Sequence, residues 1–476
     1  MFKYNFIYEF KRLIRSQWIQ VLSILLFAVF SFAVFNGQQK TQKRLEEISS
    51  VKEKLKTSEA QMLSVLDSIE QGFQVSVSRW RLPSNPMTIG NKHPRLVEMP
   101  PHQWTFISTG QSDMYSHYVK PTVQANDFEL SFTEMTSPTQ LLFGSFDLTF
   151  VIVYLLPLII IAFGFNILSY ERESGALKLL ASQPVSLTFW VFQKLVLRFL
   201  WLSVIVILTL YLIFSGNGIN IFKEMATFFS LIGVICAYML FWFALAFLVN
   251  IFGMNSAKNA LVLIGLWILF VLLVPTVINQ VGNTLYPMPS RTIMVNKMRS
   301  IKANATKKQD EILDNYLRDH PEFAINDSTQ NRTFWHRYMA SQALIDKALK
   351  PVVSNYNKQL RKQQNWLDKL KWLSPSMRVK AALNNTAGTS TTDYENFRNQ
   401  ALAFSEQWRK HFIPFLYNNT PFSSKDYEHI PTYQYRQKAH SNMATIGILF
   451  AIALLMFAIG LLASKNLKYK MNLTIS

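Results

Sequence analysis

Long apolar runs alternate with charged and polar segments along the chain. Each run reaches or exceeds the roughly 18 apolar residues that indicate a membrane-spanning helix. The apolar centres of these runs hold one charged residue, Arg198, which lies one turn into the third run. The first run is longer than the apolar part of a usual signal peptide and lacks an Ala-x-Ala-like site after it, so we expect it to be retained. The pattern predicts an all-α polytopic membrane protein with six transmembrane helices, at residues 17–36, 147–169, 190–215, 225–252, 258–279 and 442–464.

Lys and Arg are frequent in short segments that fall on one side of the membrane if the spans alternate. These segments are residues 1–16, residues 170–185, the turn after the fourth span, and the tail at 465–476. Because short basic segments face the cytoplasm, we expect both termini to be cytoplasmic. The large loops 37–146 and 280–441 then form a mainly helical extracytoplasmic domain.

The net charge of +19 comes from 48 Lys and Arg residues against 29 Asp and Glu residues. The first large loop is neutral, with 11 basic and 11 acidic residues, whereas the second has 24 basic and 13 acidic residues. Long loops translocate largely regardless of charge, so the basic second loop agrees with this topology. The long apolar runs exclude a soluble nucleic-acid-binding protein. The single Cys236 excludes an intrachain disulfide framework and a multi-cysteine metal site.

Residues 1–16 predict an amphipathic helix. An apolar stripe and a basic side recur at helical spacing, the first formed by Phe2, Phe6 and Phe10 and the second by Lys11, Arg12 and Arg15. A helix of this kind lies in the membrane interface. The alternative is a simple extension of the first span.

The turn at 170–185 is too short for a folded domain and passes from a polar to an apolar composition. Gly175 permits a tight bend, and Pro184 bounds a short helix after it. A short helix with an acidic start and an apolar face suits docking into a groove on another protein. The alternative is an interfacial turn without a partner.

This turn resembles the first cytoplasmic loop of type-2 ABC exporter permeases. The resemblance is carried by Glu171, Glu173, Gly175, Leu177, Leu179, Leu180 and Pro184. In that family the loop holds a coupling helix that contacts the nucleotide-binding subunit, and the amphipathic helix is similar to the family's elbow helix. The resemblance implies that these residues lie at the interface with ABC ATPase subunits, which would bind ATP and Mg. It also implies a second permease copy or a paralogue as partner.

The two large loops resemble a bacterial large-loop subgroup of these permeases whose function is unknown. The residues that carry this resemblance are Leu373-Ser374-Pro375-Ser376-Met377, Ala387-Gly388-Thr389 and Phe397. Permeases for nitrous-oxide-reductase maturation and for gliding motility are more distantly similar. The size of the loops favours an additional partner in the cell envelope.

The chain lacks the G-x-x-x-x-G-K-[ST] phosphate-binding motif, and its spans lack the Asp, Glu or His that could relay protons. A transporter that has neither a nucleotide-binding motif nor a proton relay must obtain its energy from a partner protein. The sequence therefore predicts a non-enzymatic permease subunit of an ATP-driven exporter in the bacterial inner membrane, coupled through residues 171–184 to a separate ATPase. The alternative hypothesis is a mechanotransmitting or scaffold subunit that acts on an envelope partner without moving a substrate.

Within the loops we expect a helix over 38–71, a Pro-rich cap with a short strand at 104–107, and long helices over 291–319 and 330–372. Pro351 should kink or divide the second of these long helices. A capping box at 392–395 should open a helix over 393–412, and Pro414 should punctuate the chain after it.

The first loop also holds Met and His residues whose soft side chains suit Cu(I), namely Met87, His93, Met99, His102, Met114 and His117. Their spacing is irregular, so we expect no metal site and no cofactor in this chain. No catalytic constellation is expected either.

Overall fold

The computed structural model describes residues 2–78, 81–110, 112, 114–123, 145–177, 186–216, 218–219, 221–252, 255–288, 291–307, 334–418 and 420–475. In the first half of this described chain the elements are α1 (Phe2–Arg15), α2 (Gln17–Glu70), α3 (Pro86–Lys92), β1 (Val97–Glu98), a 3₁₀ turn (Thr105–Ile107), β2 (Tyr118–Val119), α4 (Leu148–Phe150), a π-helical stretch (Val151–Leu155), α5 (Leu156–Gly164), α6 (Ser169–Glu173), α7 (Leu187–Gly216) and α8 (Met225–Ile251). In the second half they are α9 (Ser256–Trp267), a π-helical stretch (Ile268–Leu273), α10 (Val274–Leu285), α11 (Arg291–Lys307), α12 (Phe334–Leu370), a 3₁₀ turn (Lys371–Leu373), α13 (Pro375–Ala387), α14 (Thr391–Tyr417), α15 (Ser424–Glu428) and α16 (Met443–Ile475).

Six stretches of the described chain are long and apolar enough to cross a membrane: the start of α2, α4 to α6, α7, α8, α9 to α10, and the start of α16. The prediction of a mostly helical, multi-pass membrane protein is therefore confirmed. The second and fourth spans form the centre of the bundle, because 67% and 72% of their apolar windows are buried, against 17% to 33% in the other four. The first, fifth and sixth spans keep apolar side chains on their outer faces, where a lipid bilayer or a second subunit would cover them.

Each π-helical stretch precedes a proline, which lacks the N–H that a regular helix would use. The carbonyl oxygen of Val153, four residues before Pro157, accepts a hydrogen bond of 3.0 Å from the Tyr238 hydroxyl instead. The carbonyl oxygen of Phe270, five residues before Pro275, accepts hydrogen bonds of 2.7 and 3.0 Å from two serine hydroxyls of the second loop. Packed neighbours thus satisfy the freed carbonyls, which is how prolines are tolerated in membrane helices.

Helix α2 continues far beyond the first span. It has 54 residues, which corresponds to about 80 Å at 1.5 Å per residue. The first span and the helix predicted over 38–71 are therefore one continuous rod. Gly37 allows this rod to approach the first loop closely, because a methyl group added there would overlap the carbonyl oxygen of Phe106.

A second hydrophobic core, distinct from that of the spans, is built from both large loops and the far part of α2. Helix α14 contributes Phe397, Trp408 and Phe412, while α2 contributes Met62. The two-stranded sheet pairs β1 with β2 in antiparallel fashion within the first loop. The first loop thus contains a small sheet, but its strands lie outside residues 104–107, where a strand was predicted.

Several local predictions for the loops are wrong. Residues 104–107 form a 3₁₀ turn rather than a strand, because Trp104 and Phe106 pack against Phe214 at the end of α7. Of the two alternatives for Pro351, a kink or a division, division is wrong, because α12 continues through this residue as one helix; α14 likewise continues through Pro414.

The capping box of α14 exists, but its first member is not the residue that the sequence indicated. Ser390 is the N-cap and Asp393 the reciprocal acceptor, so the helix begins at Thr391. The Ser390 N–H and hydroxyl both donate to the Asp393 carboxylate, at 3.1 and 2.6 Å. These two bonds fix the start of α14 two residues before the predicted one.

Helix α13 joins the two cores. Its apolar residues Val379, Leu383 and Ala387 are buried among the spans, although they belong to the second large loop. At its end Gly388 adopts a left-handed conformation, with φ of 66°. The next residue, Thr389, donates from its hydroxyl to the carbonyl oxygen of Ser108 at 3.0 Å. The second loop thus contacts the spans and the first loop within a few residues.

Candidate functional site

The candidate site lies where α1 meets the turn after the second span. Helix α1 is separate from the first span, because Ser16 between them has an extended ψ of 104°. The alternative of a simple extension of the span is therefore wrong. One face of α1 packs on α7 and α2 and buries Leu13 and Glu9.

The opposite side of α1 is exposed. Phe6 and Phe10 are 40% and 42% exposed, and Phe10 also contacts the Trp201 ring at 6.1 Å between centroids. Lys11 and Arg15 are exposed as well. The Phe2 side chain lies outside the described part of the chain. The placement of this helix in the membrane interface stays a prediction, supported by its exposed aromatic and basic residues.

A buried ion cluster ties α1 to the second and third spans. The Lys194 ammonium lies 2.7 Å from the Glu9 carboxylate and 3.0 Å from the Glu171 carboxylate. The Lys194 and Glu9 side chains are only 3% and 2% exposed. Arg12 lies 3.4 Å from Glu171 and completes the charge balance. Because breaking a buried ion pair leaves an uncompensated charge, this cluster holds the three helices in one arrangement.

Glu9 and Lys194 were not among the predicted site residues. Glu9 stands beside the predicted apolar stripe of α1, and Lys194 lies among apolar residues at the start of the third span. The available signal was that Glu9 and Lys194 carry opposite charges and each lies among apolar residues, which favours an ion pair inside the bundle.

The second span is interrupted close to this cluster. After α5 ends at Gly164, residues 165–168 form turns before α6 begins. The buried Asn250 side chain donates to the carbonyl oxygen of Gly164 at 2.7 Å and accepts from the N–H of Leu168 at 3.2 Å. Asn259 donates to the carbonyl oxygen of Phe165 at 3.1 Å.

Arg198, the charge within the third span, donates to the carbonyl oxygen of Phe163. The interruption is therefore satisfied by side chains of the third, fourth and fifth spans. Because side chains of three other spans hydrogen-bond its backbone, this interruption of the second span has a defined conformation and is not a frayed helix end.

The predicted glutamates of the turn both bind partners within the chain. Glu171 belongs to the ion cluster. Glu173 accepts from the N–H and the hydroxyl of Ser256, at 2.7 and 2.9 Å. Ser256 begins α9, so the Glu173 carboxylate stabilises the positive end of the helix dipole of the fifth span.

The tip of the turn is exposed. Gly175 has φ of 76° with open space around its Cα, and Ser174 beside it is exposed. Leu177 is half-buried and packs against the core of the spans. Leu179, Leu180 and Pro184 lie outside the described residues. The predicted bend at Gly175 is thus present, and contact of the turn with an ATPase stays a prediction.

The motif residues of the second loop have structural roles. The Ser374 and Ser376 hydroxyls are those that bind the carbonyl oxygen of Phe270 in the fifth span. Phe397 is fully buried in the second core. These residues therefore fasten the loops to the spans and to one another.

Four of the six Met and His residues considered as Cu(I) ligands are buried or hydrogen-bonded within the protein. Met87 and Met99 are buried in the second core. His93 bonds the Ser58 hydroxyl at 3.1 Å, and His117 bonds the Tyr394 hydroxyl at 3.2 Å. Within the described ranges, no group of three or more His, Cys, Asp or Glu residues is placed to hold a metal ion.

Comparison with known families gives one match. Residues 291–436 match a domain of unknown function (DUF3526). No curated protein matches the chain. The matched part is less than half of the 476 residues, but it contains α13 and α14, which connect the two cores.

Proposed function

We propose that the chain is the permease subunit of an ATP-driven, type-2 ABC exporter of the bacterial inner membrane. In this proposal both termini are cytoplasmic, and the two large loops form an extracytoplasmic domain. The observation that carries it is the attachment of the turn after the second span to three other helices. Glu171 binds Lys194 of α7 and Arg12 of α1, and Glu173 caps α9.

A turn with an exposed tip and a fixed base suits the transmission of force. ATP-driven closure of two separate ATPase subunits would push on residues 171–184. The movement would pass through Glu171 to α1 and the third span and through Glu173 to the fifth span. A second copy or a paralogue would supply the other half of the transporter, and the lipid bilayer would cover the remaining apolar faces.

The test is purification of the full chain from its native cells, identification of any ABC ATPase that co-purifies with it, and measurement of ATP hydrolysis. We expect Ser174→Arg, at the exposed tip, to abolish binding of the ATPase without unfolding the permease. Ser215→Arg is the matched control, because Ser215 is exposed at the end of α7, at the opposite end of the third span from Ser174. Retention of the ATPase by Ser174→Arg, or association of no ATPase with the unmodified chain, contradicts the coupling proposal.

A second candidate function is mechanotransmission to an envelope partner without transport. The observation that favours it is the continuity of α2, which carries Leu26 in the core of the spans and Met62 in the second core. A single rigid helix would move the outer domain whenever the first span moves.

Glu53→Pro separates the two functions, because Glu53 is exposed in the middle of α2 and proline would kink the helix there. Mechanotransmission predicts loss of the cellular function with ATPase coupling intact, while Glu53→Ala remains active. Export of a substrate by the Glu53→Pro variant would contradict mechanotransmission.

A further inference from the structure

A cavity of about 360 Å³ lies between α2 and the first loop, immediately beyond the first span. On the helix side it is lined by Lys40, Lys43, Arg44 and Glu47, and on the loop side by the hydroxyl residues Thr109 and Ser112. Residues 40, 43, 44 and 47 share one face of α2, because they are three and four positions apart. The volume is in the range of small-molecule sites.

Arg44 is the central feature of this cavity. It is only 6% exposed, and its Nη2 atom donates to the carbonyl oxygen of Met99 at 2.7 Å. Its Nε atom has no hydrogen-bond acceptor among the residues that the structure describes. A buried guanidinium with an unused donor is costly unless a ligand supplies the acceptor.

The other groups around Arg44 also favour an anion. Lys43 is exposed and lines both this cavity and its neighbour. His117 does not add a charge, since burial and the neighbouring Arg44 lower its pKa to about 2. The Ser112 hydroxyl lies 3.1 Å from the Tyr394 hydroxyl and lines the cavity. The described lining has one acidic residue, Glu47, against three basic residues.

We propose that this cavity binds a phosphate-type oxyanion. Guanidinium, ammonium and hydroxyl donors together are the usual partners of such groups. An adjoining cavity of about 830 Å³ shares Thr41 and Lys43 and is lined towards the first span by Phe35, Phe106 and Ile219. The two cavities thus offer a cationic end and an apolar end, which suits the headgroup of an anionic lipid as well as a soluble phosphate compound. The proposal goes beyond the transport function, because it requires neither an ATPase nor a substrate.

The experiment uses the full chain in two arms. In the first arm, protein in phosphatidylcholine nanodiscs is titrated with inorganic phosphate by calorimetry. In the second, protein is taken from nanodiscs containing phosphatidylglycerol, and the lipids it retains are counted by native mass spectrometry. Lys43→Glu is compared with Lys54→Glu, which makes the same charge change on an exposed face of α2 outside both cavities.

We expect Lys43→Glu to weaken binding by about tenfold in one arm and Lys54→Glu to have no effect. A difference confined to the lipid arm identifies a headgroup, and one confined to the phosphate arm identifies a soluble compound. Equal behaviour of the two variants in both arms overturns the proposal. A folded Arg44→Gln variant, shown to be folded by its thermal unfolding, that binds as the unmodified protein does also overturns it.

Discussion

At the scale of single residues, Lys194 is a buried charge with two carboxylate partners. Its ammonium neutralises Glu9 and shares Glu171 with Arg12. We expect Lys194→Met to reduce the free energy of unfolding by about 3–5 kcal/mol, because Glu9 would remain buried without its partner. The measurement is thermal unfolding of the purified protein followed by tryptophan fluorescence.

The double variant Lys194→Met with Glu9→Gln removes both charges and should recover part of this loss. Lys11→Met is the control, since Lys11 is exposed on the same helix as Glu9. Equal unfolding temperatures for Lys194→Met and Lys11→Met would show that the cluster does not hold these helices together.

Tyr238 gives a second prediction at this scale. Its hydroxyl donates a hydrogen bond to the carbonyl oxygen of Val153. Pro157 cannot donate this bond, because proline has no N–H. Tyr238→Phe should therefore cost about 1–3 kcal/mol of stability, the penalty of a buried unsatisfied acceptor. Tyr211→Phe on the exposed side of the third span should cost little, and the same thermal unfolding measurement compares the two. A neutral Tyr238→Phe would mean that another donor replaces the hydroxyl.

At the scale of elements, the fifth span depends on α13. Ser374 and Ser376 both donate to the carbonyl oxygen of Phe270. Either serine alone can still donate to this oxygen, so we expect each single variant to keep a bond to Phe270 and the double variant to lose more than the sum of the two. Ser374→Ala should cost more than Ser376→Ala, because the Ser374 hydroxyl also accepts from the Met377 N–H as the N-cap of α13.

Hydrogen exchange measured by mass spectrometry over residues 268–275 should rise most in this double variant. Ser49→Ala on the exposed side of α2 is the control. Strictly additive effects of the two serine variants would contradict a shared role at Phe270.

Sequence reasoning succeeded for elements whose formation depends on local composition. The spans could be predicted from uninterrupted apolar runs. In a bilayer the backbone N–H and C=O groups have no water to bind, so an apolar run forms a helix that satisfies them internally. The separate helix α1 and the bend at Gly175 follow from local spacing and from backbone freedom in the same way. The 104–107 turn was misread because its apolar residues are buried against Phe214, far away in sequence.

The charged part of the candidate site was only half predictable, for the same reason. Glu171 and Glu173 were found from a local pattern. Their partners Glu9, Lys194 and Ser256 belong to other helices, and Glu9 and Lys194 lie 185 residues apart. Such pairs form because the helices pack together, and a local sequence pattern does not show which helices pack against each other.

At the scale of the whole molecule, two hydrophobic cores are connected by the rod α2 and the buried helix α13. In the described chain the spans hold few titratable groups, whereas the second core and its surroundings hold several half-buried histidines. Burial lowers the pKa of His93, His102, His117 and His411, and that of His117 falls to about 2. The two cores should therefore respond differently to acid.

The final prediction concerns this acid response. Below pH ~6.5, the ordinary pKa of histidine, the unfolded chain binds a proton at position 117 that the folded chain does not. The free energy of unfolding should therefore fall with decreasing pH, by about 1.4 kcal/mol per unit from His117 alone. His117→Asn should remove this share of the slope between pH 6.5 and 4.5, measured by chemical unfolding with tryptophan fluorescence. His429→Asn, at an exposed position, is the matched control. Identical slopes for His117→Asn and the unmodified protein would mean that His117 becomes protonated in the folded state, and that the second core opens to water before it unfolds.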